Sequence, residues 1–176
     1  VNKQWGVIGA VWGVLGLSAL LTWAIFRLAG YAMEGWNVSW SWWHWLFFVG
    51  WMLFMLYGKG YKGFQKGFSP RVVARAVHLA GHPVGWHVAL APIYCMGYIH
   101  ATRKRRIVSL SVTAGAIVLV LLVHFLPQPW RGIVDLGVVA GLSWGVISIL
   151  VFAVGQMAGR PVAVPPDVPV TDGQSA

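Results

Sequence analysis

The chain has 176 residues; 58% are hydrophobic and 10% are charged, against about 25% charged in a soluble domain. A water-facing fold of this size would lack polar surface, and the single cysteine, Cys95, excludes an intrachain disulfide or a Cys-based zinc or iron–sulfur site within one chain. Net charge is +9, from thirteen lysines and arginines against Glu34, Asp135, Asp167 and Asp172. These cations lie beside apolar runs, so the expected counter-charge is anionic lipid and not nucleic acid.

The first apolar run, Gly6–Phe26, exceeds a signal-peptide core of about 7–15 residues, and no small-x-small cleavage site follows it. It is expected to remain as a first span over Gly6–Leu28. Gly9 and Gly13, with Gly6, Ala10 and Gly16, give this span a small-residue face for helix packing. Arg27 lies near its outer end.

Trp36, Trp40, Trp42, Trp43 and Trp45 then crowd one stretch. Tryptophan favours headgroup depth because its ring is apolar and its N–H polar, so they mark the outer interface. A stacking pocket for a quinone, sterol or sugar is the alternative. A second span is expected over Trp40–Tyr57, with His44 near its outer start.

Lys59-Gly60-Tyr61-Lys62-Gly63-Phe64-Gln65-Lys66-Gly67-Phe68 follows. Were it helical, Lys59, Lys62 and Lys66 would share one face, and Tyr57, Tyr61, Phe64 and Phe68 another. That suits an anionic membrane surface, at about 1 kcal/mol per basic residue. Ser69-Pro70 has the form of a helix start, serine as cap and proline in the first turn. The helix should run Pro70–Ala80 and stop at Gly81. Arg71, Arg75, His78 and His82 would form its polar stripe, making it an amphipathic helix on the cytoplasmic leaflet. His78 and His82, four apart, could share a metal.

Val84–Ala101 is apolar but short, and it contains Pro92. Lys59, Lys62, Lys66, Arg71 and Arg75 precede it; Arg103-Lys104-Arg105-Arg106 follow it. The positive-inside rule places both groups in the cytoplasm, so this segment should lie in the interface or re-enter without crossing. Both groups are the predicted lipid-headgroup contacts.

A third span is expected over Ile107–Leu126, ending at Pro127, and a fourth over Ile133–Met157. Each approaches the roughly 20 residues that cross a ~30 Å core. His124, near the outer end of the third span, shares a predicted depth with His44; two facing histidines could ligate haem b or a metal. Gly137, Gly141 and Gly145 give the fourth span a packing face, expected to meet the glycine face of the first. Asp135 should pair with Arg27, with Arg131 as competitor. Residues 161–176, rich in Pro, Val and Asp, read as a disordered cytoplasmic tail.

The expected fold is all-α: a polytopic membrane domain over residues 1–160, with four transmembrane helices, a cytoplasmic amphipathic helix and a re-entrant or interfacial region within 69–101. Both termini should be cytoplasmic and the setting a bacterial inner membrane. No serine context, acidic pair or Gly-rich phosphate loop marks an enzyme. The expected function is a non-enzymatic accessory or organising subunit that contacts anionic lipid, with a membrane-protein partner or a second copy. The alternatives are a small transporter or lipid-handling protein with a cavity near Pro92, and a haem b redox protein using His44 and His124.

Overall fold

A computed structural model describes residues 3–168. It is all-helical, with no strand among the described residues. The order is α1 (Lys3–Trp36), α2 (Trp42–Phe54), a π-helical segment (Met55–Phe68), α3 (Ser69–Gly81), α4 (Gly85–Ala89), α5 (Ala91–Met96), α6 (Arg103–His124) and α7 (Trp130–Met157). Three helices, α1, α6 and α7, are long and apolar enough to cross a membrane. Backbone groups in hydrocarbon can be satisfied within a helix, and this is how such runs fold there.

The region expected to hold the second span has another form. Only 13 residues of α2 are α-helical before the winding loosens to π, yet the chain does not break. Met55 (φ −68°, ψ −43°) and Ser69 (φ −58°, ψ −45°) are both right-handed helical at the two junctions. Trp42–Gly81 is therefore one continuous helix. Ser69 does not cap a new helix: its N–H bonds the Phe64 carbonyl, five residues back, and its hydroxyl meets that of Ser148 at 2.6 Å.

This long helix runs parallel to α7: Trp51 meets Gly137, Phe64 meets Gly145 and Ser69 meets Ser148. α1 is antiparallel to α7, crossing it most closely at Gly35 and Gly132, where an added Cβ would lie 2.8–2.9 Å from the facing backbone. The predicted packing of the first and last spans occurs, but through this pair. The predicted glycine faces meet other partners. Gly13 and Gly16 receive Cys95 and Pro92 of α5, Gly9 receives Val88 of α4, and Gly137, Gly141 and Gly145 receive Trp51, Lys59 and Phe64.

Val84–Ala101 forms α4 and α5, of five and six residues, too short to cross. They pack on the first half of α1, and α3 is wedged between them, α1 and α7. The core is Val14, Leu17, Val72, Ala76, Leu79, Ala91, Tyr94, Cys95 and Ile149. The predicted polar stripe of α3 is therefore divided, because Arg75 faces inward with Val72 and Leu79.

α6 is the least covered helix. Between Leu110 and Leu122 only Thr113 and Leu119 are even half-buried. Ile117, Val118, Val120, Leu121 and Leu122 are all more than half exposed, a surface that water would not tolerate at this size and that lipid solvates.

Candidate functional site

Tryptophans gather at one end of the bundle. Trp36, Trp40, Trp45 and Phe48 have ring centroids 4.9–6.4 Å apart. His44 and Phe47 meet Trp130 at 4.8 and 5.3 Å. The rings pack edge to face on one another, the favoured aromatic geometry. His44 accepts the Ser41 N–H at Nδ1 (3.0 Å), while His124 faces Phe125. The two histidines thus have different neighbours, with no His44–His124 ring contact among the described residues.

Arg27 is exposed and its guanidinium lies 5.6 Å from the Trp23 ring. Asp135, nearly buried, is 3.8 Å from Arg131. The expected Arg27–Asp135 pair does not form. Four residues along one helix bring Arg131 to the carboxylate, whereas Arg27 emerges on the outer face of α1.

The predicted headgroup residues divide by depth. α7 rises about 1.5 Å per residue, so Gly141, beside the Lys59 stem, lies roughly 16 Å from Trp130. Lys59 stands alongside the middle of α7, not at its end. Lys62 and Lys66 are successively nearer the end, and each ammonium covers a tyrosine ring five residues back: Lys62 on Tyr57 at 4.9 Å, Lys66 on Tyr61 at 4.6 Å. Residues five apart would sit about 140° apart around an α-helix. The i→i−5 winding stacks them. Phe64 and Phe68 do not share the tyrosine face: Phe64 is inserted at Gly145 and Phe68 packs against the core.

Arg75 organises the far end. It is fully buried. Its Nε donates to the Tyr94 carbonyl (2.7 Å), one terminal nitrogen to Pro166 (2.9 Å) and the other to Ile99 (2.6 Å). The Tyr94 ring lies 4.4 Å from the guanidinium. A buried charge is tolerated when its donors are met, and five N–H groups in a rigid fork meet several carbonyls at once. Thr102 N–H also donates to the Asp167 carbonyl (2.9 Å), and the Asp167 carboxylate pairs with Arg71 (3.2 Å). Residues 161–168, expected to be disordered, are held to the bundle by these bonds; residues 169–176 of that tail lie outside the described residues. Composition concealed this because the tail offers backbone carbonyls, which sequence does not distinguish.

Arg105 reaches the same place from the start of α6. It is 8% exposed, its stem lies against Gly97, and its guanidinium is 5.8 Å from the Phe68 ring. The two basic stretches flanking Val84–Ala101 thus converge at the end opposite the tryptophans.

Four histidines border this end. His78 and His82 stack at 4.8 Å, and His87 and His100 approach to 5.3 Å. Burial holds His78 and His87 below the usual imidazole range; for both, His100 and Arg75 add to it, and for His78 so does His82. No group of three or more His, Cys, Asp or Glu could hold a metal among the described residues. Burial pushes the Cys95 thiol up to about 12. Pro92, the centre of the expected cavity, fills the notch at Gly16. An open cleft of about 320 Å³ lies along the same side, between Trp5, Gly85, Val88 and Ala89.

Three long apolar helices, an apolar exterior and aromatic clusters at one end define the class: a helical membrane protein. No protein-family model matches the chain, nor does any curated protein or solved structure.

Proposed function

We propose that this protein is a non-enzymatic accessory or organising subunit of a membrane assembly, anchored at its basic end by anionic lipid. The observation that carries the reading is α6, an apolar helix that its own chain leaves almost uncovered. Helices in lipid associate by close packing and not by a hydrophobic drive, so such a helix offers a lateral face to another protein. In this reading four helical segments cross, α1, α6, α7 and α2 with the first turns of the π segment. α4 and α5 are interfacial. The basic end and both termini face the cytoplasm, with the bacterial inner membrane as the setting. Headgroup contact falls to Lys66, Arg71, Arg103, Lys104, Arg105 and Arg106; Lys59 and Lys62 sit too deep for it unless their stems reach outward.

The test is the size of the particle extracted from native membranes in a mild detergent. A stoichiometric assembly larger than one 19.3 kDa chain is expected. Gly115, which has open space around it, is the residue to change. Gly115→Leu should disperse the assembly without loss of folded protein. A lone chain, indifferent to Gly115→Leu, would contradict the reading.

A further inference from the structure

Three arginines, Arg71, Arg75 and Arg105, converge with one carboxylate, Asp167. Two of the three are at least nine-tenths buried, Arg75 at 0% and Arg105 at 8% exposure. Arg75 spreads its charge over carbonyls of Tyr94, Ile99 and Pro166, and Arg71 takes the Asp167 carboxylate. Arg105 is left over. Its Nε is buried and has no hydrogen-bond partner among the described residues. Its charged neighbours are two like charges, Arg71 and Arg75, and the one Asp167 carboxylate, which is already paired with Arg71. A buried guanidinium in that position is strongly unfavourable without a counter-ion.

The place is built to hold the side chain. Gly97 ends α5 with φ +87°, a left-handed backbone suited to glycine, and an added Cβ there would lie 3.0 Å from Arg105 Nε. The missing Cβ leaves the groove along which the arginine runs to the Phe68 ring. From Ile107, two residues on, α6 becomes apolar and, Ser109 apart, mostly exposed, so the guanidinium lies at the edge of that apolar surface.

We infer that Arg105, with Arg71 beside it, binds a phosphate group, and that the phosphate belongs to a membrane phospholipid whose chains lie along α6. Guanidinium forks match phosphate oxygens two at a time, and a phosphate can accept from both arginines. The inference rests on the proposed anionic-lipid contact and gives that contact a specific residue.

The test uses the purified full chain in neutral detergent. Retention of phosphatidylglycerol and of phosphatidylcholine is compared by native mass spectrometry, and thermal stability is followed with each lipid and with inorganic phosphate. Wild type should prefer phosphatidylglycerol. Arg105→Met should weaken that lipid about tenfold or more, the factor that 1.4 kcal/mol represents. Arg105→Lys, which keeps the charge but loses the fork, should fall between them, and it serves if the methionine variant does not fold. Lys59→Gln should change nothing. If inorganic phosphate alone gives the whole Arg105-dependent stabilisation, the site stands and its phosphate is a free one. If wild type prefers phosphatidylglycerol but neither Arg105 variant alters the preference, the site is overturned and the lipid reading survives. If wild type shows no preference while phosphate still stabilises through Arg105, the lipid reading fails and the site survives. Stability indifferent to phosphate and to both lipids overturns both.

Discussion

Gly145→Ala isolates the contact that seats the π segment on α7. A Cβ at this position would lie 2.6 Å from Phe64 Cδ1 and 2.8 Å from its Cγ, so the ring itself must move, not a flexible tip. Overpacking of this kind costs about 1–3 kcal/mol. The change from glycine to alanine in a helix interior returns about 1 kcal/mol. Gly155→Ala, in the same helix with open space around it, receives the same backbone gain and no clash. The backbone gain cancels between the two variants, which leaves about 1–3 kcal/mol between them. For a chain of this length that is roughly 2–12 °C in thermal midpoint, with Gly145→Ala the lower. Circular dichroism or tryptophan fluorescence in detergent reads it. Equal midpoints would mean that Phe64 does not fill the Gly145 notch, and the parallel register of the long helix against α7 would lose its main support.

Arg75→Met should cost about 3 kcal/mol or more, because several buried carbonyls lose their donor. Hydrogen exchange over residues 161–168 should rise with it; unchanged protection there would deny Arg75 its role as tether. A double-mutant cycle should give Arg131 and Asp135 a coupling of about 0.5–3 kcal/mol and Arg27 and Asp135 none. His78 and His87 are both held below the ordinary imidazole value, so the unfolded chain binds more protons as pH falls through 6.5. Stability should therefore be full above pH 7 and decline below 6.5, and a His78→Asn, His87→Gln chain should show a flatter thermal midpoint between pH 8 and 5.

The three long helices were legible because about twenty apolar residues in sequence admit few other structures. Their ends were less so: α1 continues to Trp36, eight residues past the predicted Leu28, since Tyr31, Ala32 and Gly35 pack against α7 near Gln128 and Gly132. The glycine faces were visible, but not their partners, because a notch in one helix does not name what fills it. Ser69-Pro70 carried a genuine start signal that the tertiary fold overrode: helix already preceded it, and proline's missing N–H falls where the winding changes from π to α. Arg75 was readable in principle. It lies three residues from Val72 and four from Leu79, on the stripe that the core takes, and only the habit of assigning charge to a solvated face placed it outside. Arg105 offered no such signal among four consecutive cations; only the position of Gly97 singles it out.

The sidedness of the two cationic stretches can be read directly by thiol labelling of intact cells or sealed vesicles. In a Cys95→Ala background, single cysteines replace Lys66, Lys104 and Ser41 in turn, and a membrane-impermeant maleimide is applied from one side at a time. Labelling of the first two from the cytoplasmic side and of the third from the other side is the expected result. Positions 66 and 104 reacting from opposite faces of the membrane would break the shared basic end and, with it, the site that Arg105 completes.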